Sequence, residues 1–247
     1  NPYFPDQKSV FRDWKAHGYV DMRRALAVSS DVYFYAVGGG YAGQKGLGIE
    51  KIEEYVRMFG FGRKTGLEFA QEKDGTIPTP EWKAKQFDGD PWRIGDTYNT
   101  AIGQYGFQIT PLQAVTATAA IANNGKIVRP TLLRDGNKDR DYMFELPFST
   151  ENFKIVQEGM RAGVVEGTAK ALDVAGLKVA GKTGTAELGA EKRYVNSWVI
   201  GYFPYESPKY AFAVVMERGP VKNLVGSSAV VSQLLNWITI YAPEYAR

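Results

Sequence analysis

Leu177-Lys178-Val179-Ala180-Gly181-Lys182-Thr183-Gly184-Thr185-Ala186-Glu187 is an apolar run that ends in a lysine, a hydroxyl and a glycine. It predicts a strand over 177–185, and two further β-type runs follow at 197–203 and 210–216. The turn signals between them, such as Pro204 and Pro208, space the three closely enough for an antiparallel meander. Val230, Val231, Leu234, Leu235 and Ile238 then mark an amphipathic helix over 227–241.

Upstream of the meander the chain reads as helical. Residues 21–28 predict a short helix ending at Ser29-Ser30-Asp31, and 32–37 a second that stops at Gly38-Gly39-Gly40. Ile49, Ile52, Val56 and Phe59 repeat at helical spacing before Gly60. Thr110-Pro111 opens a helix through Ala122 whose small residues predict burial, and Thr150 is the expected cap of a helix to Glu166. Residues 72–92, rich in Pro, Gly, Lys and Asp, predict a long surface loop, and 134–141 a charged one. Helices first, an antiparallel sheet afterwards and a closing helix define an α+β fold in one domain.

Composition limits the chemistry. The 247 residues carry no cysteine and one histidine. Disulfides, a thiolate nucleophile and cysteine-ligated metals are excluded, and so is a two-histidine metal site. His17, with no carboxylate pattern beside it, reads as a surface or loop histidine. An acyl-transfer enzyme of this composition would move protons with a lysine, tyrosine or carboxylate. The net charge of +3 is mild and the basic residues are scattered, so no nucleic-acid partner is expected. No apolar stretch approaches the length of a membrane span.

Lys182-Thr183-Gly184 at a strand end suits a peptide carboxylate. The ammonium attracts the anion, the hydroxyl donates to it, and Gly184 admits a second backbone that gains ladder hydrogen bonds. Lys64-Thr65-Gly66 is a second copy, but it follows a helix end in a Gly-rich turn and reads as a solvated turn. Ser29-Ser30-Asp31 has two compatible readings. It caps a helix, and it forms a polar cluster in which Ser29 relays a proton while Asp31 orients a lysine or an amide. Tyr33, Phe34 and Tyr35 read as core and helix-packing surface; Tyr3, Phe4, Phe11 and Trp14 read similarly, as a contact surface.

In this order the motifs resemble the penicillin-recognising serine acyltransferases, whose sites combine Ser-x-x-Lys, Ser-x-Asn and Lys-Thr-Gly. Trp92-Arg93-Ile94-Gly95-Asp96-Thr97-Tyr98-Asn99, Ile102-Gly103-Gln104 and Thr110-Pro111-Leu112-Gln113 are similar to a segment of class B penicillin-binding proteins. So are Gly167-Thr168-Ala169 and the run from Gly181 to Glu187. Asp31 in place of the usual Asn, followed by Tyr33-Phe34-Tyr35, is similar to the branch that serves cell elongation. The resemblance spans essentially the whole chain and implies a transpeptidase and β-lactamase-like fold.

Two departures stand out. Tyr105 follows Gly103-Gln104 where the family shows a glycine, which puts the local loop geometry in question. No lysine has a serine three residues before it, so Ser-x-x-Lys is absent. The resemblance places that motif upstream of Asn1. It makes 1–247 a partial transpeptidase domain whose N-terminal elements are missing, with the 210–216 strand expected at an unpaired edge and an apolar helix face uncovered.

The resemblance also implies roles. Ser29 relays the proton to the leaving amine, Asp31 takes the amide-orienting position and Lys182 sets the field around them. Thr183, beside Gly184, binds the substrate carboxylate, and the Thr185 N–H is half of an oxyanion hole. The substrate is a peptidoglycan stem peptide ending in D-alanyl-D-alanine, and β-lactams acylate the same serine. Partners would include a lipid-linked glycan polymerase and elongation-complex proteins, at the outer face of a bacterial cytoplasmic membrane. No cofactor or metal is implied. A carboxypeptidase or β-lactamase of the same fold, and a non-catalytic binding domain, remain open alternatives.

Overall fold

The computed structural model describes residues 9–68, 71–133, 142–223 and 225–246. Its helices are α1 (Met22–Val28), α2 (Asp31–Gly39), α3 (Gly48–Met58), α4 (Pro80–Gln86), α5 (Ile94–Ala101) and α6 (Pro111–Ala122). A small antiparallel pair, β1 (Lys126–Val128) with β2 (Tyr142–Glu145), precedes α7 (Thr150–Val165). The meander follows as β3 (Ala180–Leu188), β4 (Tyr194–Phe203) and β5 (Tyr210–Pro220), and α8 (Ser227–Tyr241) is the last described α-helix. The fold is α+β, as expected.

The strands lie in the order β3-β4-β5, antiparallel throughout, with Lys182 opposite Ile200 and Val199 opposite Val214. Alternation along β4 gives the sheet two apolar faces. Val199 and Phe203 join Val231 and Leu235 of α8 on one side. Tyr202 joins Ala122 of α6 and Met160 of α7 on the other. The sheet is therefore sandwiched between helices, and α7 carries α1 against the β3 side.

Several local expectations need correction. The 72–92 stretch is not all loop. Thr79 caps α4 by accepting from the Trp82 N–H, with Pro80 in the first turn. The same Thr-Pro signal starts α6, where Thr110 and Gln113 form a capping box. Lys83 of α4 is buried, bonded to Asp96 at 2.7 Å and Asp90 at 2.9 Å. The α5 helix and the β1–β2 pair were not expected. Ser149, not Thr150, caps α7. The first strand begins at Ala180 rather than Leu177.

The glycines at 38 and 39 do not stop α2; they admit α5. A methyl group on Gly38 would lie 2.5 Å from the Ala101 Cβ, and one on Gly39 2.2 Å from the Tyr98 ring. Tyr98 seals the contact by donating its hydroxyl to the Gly40 carbonyl at 2.9 Å. The charged loop at 134–141 and the aromatic pair Tyr3 and Phe4 lie outside the described residues.

Among the described residues β5 pairs with β4 alone. Val230, Leu234, Trp237 and Tyr241 of α8 form an exposed stripe one helix face wide. Both features match the expected unpaired edge and uncovered apolar face.

Candidate active site

The site forms where α1 hands over to α2. Ser29 ends α1 in the left-handed conformation, with φ 57° and ψ 52°, a backbone state that costs a non-glycine residue about 1–2 kcal/mol. Ser30 caps α2 by accepting from the Tyr33 N–H. The bland and the functional readings of Ser29-Ser30-Asp31 thus divide by residue: Ser30 is the cap, and Ser29 is turned toward the sheet.

There it meets Lys182. The Lys182 ammonium donates to Ser29 Oγ at 2.7 Å and to the Thr183 carbonyl, also at 2.7 Å. Burial pulls the Lys182 pKa down to about 8, while the Asp31 carboxylate opposes the shift. Burial likewise raises Asp31, Asp13 pushes it further, and Lys182 works against both. Each group thus opposes the effect of burial on the other, the electrostatic character expected of an acid–base site.

Thr183 Oγ1 donates to Thr168 Oγ1 at 2.7 Å. Alternation sends Lys182 and Thr183 to opposite sides of β3. Both still border the cleft, because β3 is an edge strand among the described residues. Neighbouring residues of one strand thus reach the same cleft. Thr168 is held by its own N–H, which donates to the Ala27 carbonyl at 3.0 Å. This contact needs glycine before it, since a methyl group on Gly167 would lie 2.0 Å from the Ala27 oxygen.

A cleft of about 970 Å³ gathers all the expected residues: Ser29, Asp31, Lys182, Thr183, Gly184 and Thr185. It adds residues to which no role was given, including Thr168, Gln104, Tyr35 and Trp14. Thr168 and Gln104 were visible as parts of quoted motifs, but nothing in the sequence joined them to β3. Gln104 Nε2 reaches the Thr185 carbonyl at 3.4 Å. Tyr35, expected in packing surface, is part of the cleft wall and also packs on Phe11.

Tyr105 is accommodated. It takes a left-handed turn at φ 60°, and its ring packs against Trp82, Phe87 and Trp92. His17 is a loop histidine, one of the two expected settings, but not a surface one: its side chain is buried, its ring meets Trp14 edge-on, and its Nε2 lies 3.5 Å from the Asp13 carboxylate. The second Lys-Thr-Gly copy is a turn, as expected. Glu72 fills it, accepting from the Thr65 N–H and hydroxyl and from the Gly66 and Leu67 N–H groups.

An antiparallel sheet flanked by helices, with a Lys-Thr-Gly edge strand facing a Ser-x-Asp turn, defines the penicillin-recognising class. The chain belongs to the penicillin-binding protein transpeptidase domain family, whose profile matches residues 1–236. It is 33% identical over 240 residues to the peptidoglycan D,D-transpeptidase MrdA of Acinetobacter baumannii, covering 88% of this chain and 35% of that protein. The structure of the Helicobacter pylori penicillin-binding protein 2 complex with MreC matches with a TM-score of 0.78 at 33% identity. That match covers 94% of this chain and 43% of that one. Penicillin-binding protein 2 of Pseudomonas aeruginosa matches with a TM-score of 0.80 at 30% identity, over 98% of this chain and 56% of that one. The chain thus spans about a third of the length of its MrdA relative.

Proposed function

We propose that the chain is the C-terminal part of an elongation-type peptidoglycan D,D-transpeptidase domain, acting with a Ser-x-x-Lys segment that precedes it in a longer protein. The observation that carries this reading is the 2.7 Å contact between Ser29 Oγ and Lys182 Nζ, beside Asp31 and Thr183 in one cleft. The uncovered β5 edge and the α8 stripe support the upstream segment.

In that protein the upstream serine attacks the penultimate D-alanine carbonyl of a stem peptide. An acyl-enzyme forms and the terminal D-alanine leaves as an amine. Ser29, polarised by the Lys182 ammonium, relays a proton to that amine. Asp31 orients the substrate amide. The Thr183 hydroxyl binds the terminal carboxylate, with Thr168 setting the hydroxyl's direction. The Thr185 N–H supplies half of an oxyanion hole and the absent serine the other half. An amine from a neighbouring stem then attacks the ester, releases the serine and completes the crosslink.

The resemblance to a protein in complex with MreC, and to a peptidoglycan synthase complex that coordinates polymerization and crosslinking, supports elongation-complex and glycan-polymerase partners. A place on the outer face of the cytoplasmic membrane belongs to the same proposal. No described helix is long and apolar enough to cross a membrane.

Intact mass after incubation with a labelled penicillin tests the reading. The 247-residue chain takes no covalent adduct, and the protein extended upstream takes one. An adduct on the short chain overturns the site assignment. An extended protein that carries no Ser-x-x-Lys and takes no adduct identifies a non-catalytic binding domain instead.

A further inference from the structure

We propose that Asp13 and Trp14 are positioning residues, forming a clasp that holds Ser29 in its left-handed turn so that the hydroxyl meets Lys182. The inference rests on the reading of Ser29 and Lys182 as site residues.

The turn is strained for a serine. The end of α1 holds its backbone from one side, with the Ser30 N–H donating to the Ala25 carbonyl at 3.0 Å and the Ser29 N–H to the Leu26 carbonyl at 3.4 Å. The segment just before α1 adds side-chain bonds to both flanks. Trp14 donates its indole N–H to the Ser29 carbonyl at 3.0 Å and, more weakly, to the Val28 carbonyl at 3.3 Å. Asp13 accepts from the Ser30 hydroxyl at 2.6 Å, the Asp31 N–H at 3.2 Å and the Val32 N–H at 3.4 Å. Side chains adjacent in sequence therefore bind both flanks of one turn, one through its carbonyls and the other through its donors.

The clasp is itself braced. The buried His17 side chain meets the Trp14 ring edge-on at a centroid separation of 5.2 Å, and its Nε2 is 3.5 Å from Asp13 Oδ1. A carboxylate with charge-assisted bonds to three donors is a stiff anchor. The geometry is also economical in its reach: Asp13 lies beside Asp31 and raises its pKa, so the anchor stands one residue pair away from the acid–base centre.

Burial and the Asp31 carboxylate set the Lys182 pKa, and Asp13 is not among the groups that act on it directly. Releasing Ser29 admits water around Lys182 and raises it toward the ordinary lysine value. Trp14→Phe changes no charge, keeps the ring against His17 and removes only the N–H donor.

The test is an NMR titration of lysine labelled at Cε in the 247-residue chain, with thermal unfolding as a control on folding. In the unaltered chain Lys182 titrates near 8. In Trp14→Phe the midpoint rises by at least about 0.5 pH unit while Tm stays within a few degrees. In Asp13→Ala it also rises. An unchanged or lowered midpoint in a folded Trp14→Phe chain overturns the role of Trp14, and the same result in Asp13→Ala overturns that of Asp13. Should Asp13→Ala not fold, Trp14→Phe alone decides whether the turn is clasped. These readings do not depend on acylation, so a failed clasp is distinguishable from a failed transpeptidase assignment, which the penicillin adduct reports.

Discussion

Ser29 Oγ and Lys182 Nζ are 153 residues apart in the chain and 2.7 Å apart in space. The helix end and the sheet edge that carry them are joined through α7, which packs against both α1 and β3. The pair is where the site's electrostatics are decided, and most of what can be tested concerns its surroundings.

Asp31 opposes the effect of burial on Lys182. Asp31→Asn removes the anion and keeps the shape. The Lys182 midpoint should fall further below 8, read by the same lysine titration. A rise would mean that the carboxylate is not close enough to act on the ammonium.

Lys182 also carries a stability consequence with a definite sign. Its pKa is lowered in the folded chain to about 8, so between that value and the ordinary lysine range the unfolded chain binds more protons. The penalty for burying the charge is fully present below about 8 and is relieved as pH rises toward 10. Lys182→Met should therefore be more stable than the parent at pH 7, by about 1–2 kcal/mol. The advantage should shrink between pH 8 and 10 in urea unfolding, and a constant difference would refute this account.

Gly167 lets the loop bearing Thr168 close on α1. A methyl group there would meet the Ala27 oxygen at 2.0 Å, against backbone that has no room to retreat. Gly167→Ala should cost about 2–4 kcal/mol in denaturant unfolding. Thr168→Ser, in contrast, should leave stability within about 1 kcal/mol, since the hydroxyl is kept.

Lys83 is buried between Asp90 and Asp96. Bonds from Arg93 first, and then from Lys83, hold the Asp90 carboxyl well below the usual range. Lys83→Met would remove the buried cation from beside the Asp96 carboxylate, at a cost of about 3–5 kcal/mol that thermal or urea unfolding against the parent checks.

The two Lys-Thr-Gly copies should separate cleanly under mutation. Lys64 is exposed, and Lys64→Ala should change stability by less than about 0.5 kcal/mol. Glu72→Ala removes the acceptor from four donors around Thr65 and should cost about 2–3 kcal/mol. Neither change should alter the Lys182 titration.

Much of the fold was legible because its signals are local. The period of apolar residues gave the meander and α8, whose bounds match the expected 227–241. Thr110-Pro111 marked the start of α6. Thr79-Pro80 carries the same signal inside a stretch whose Gly, Pro and charge read as loop, and the structure forms α4 there. Gly38-Gly39 misled for another reason. Glycine breaks a helix by its own freedom, yet here it is required by the approach of α5, which only packing reveals.

The site divides along the same line. The sequence by itself determined which groups are present: Ser29, Asp31, Lys182, Thr183 and the glycines before Thr168 and after Thr183. It also determined that no cysteine or second histidine shares the work. Placement in the sequence already separated the two Lys-Thr-Gly copies, and the tertiary structure supplied the partners, with Glu72 filling one and Ser29 facing the other. The tertiary structure alone decided the partnership of Thr168 with Thr183 and of Asp13 and Trp14 with the Ser29 turn. The physical reason is range. Capping, periodicity and turn chemistry act over a few residues, whereas burial and the hydrogen bonds that tune Lys182 depend on neighbours that only folding brings within reach.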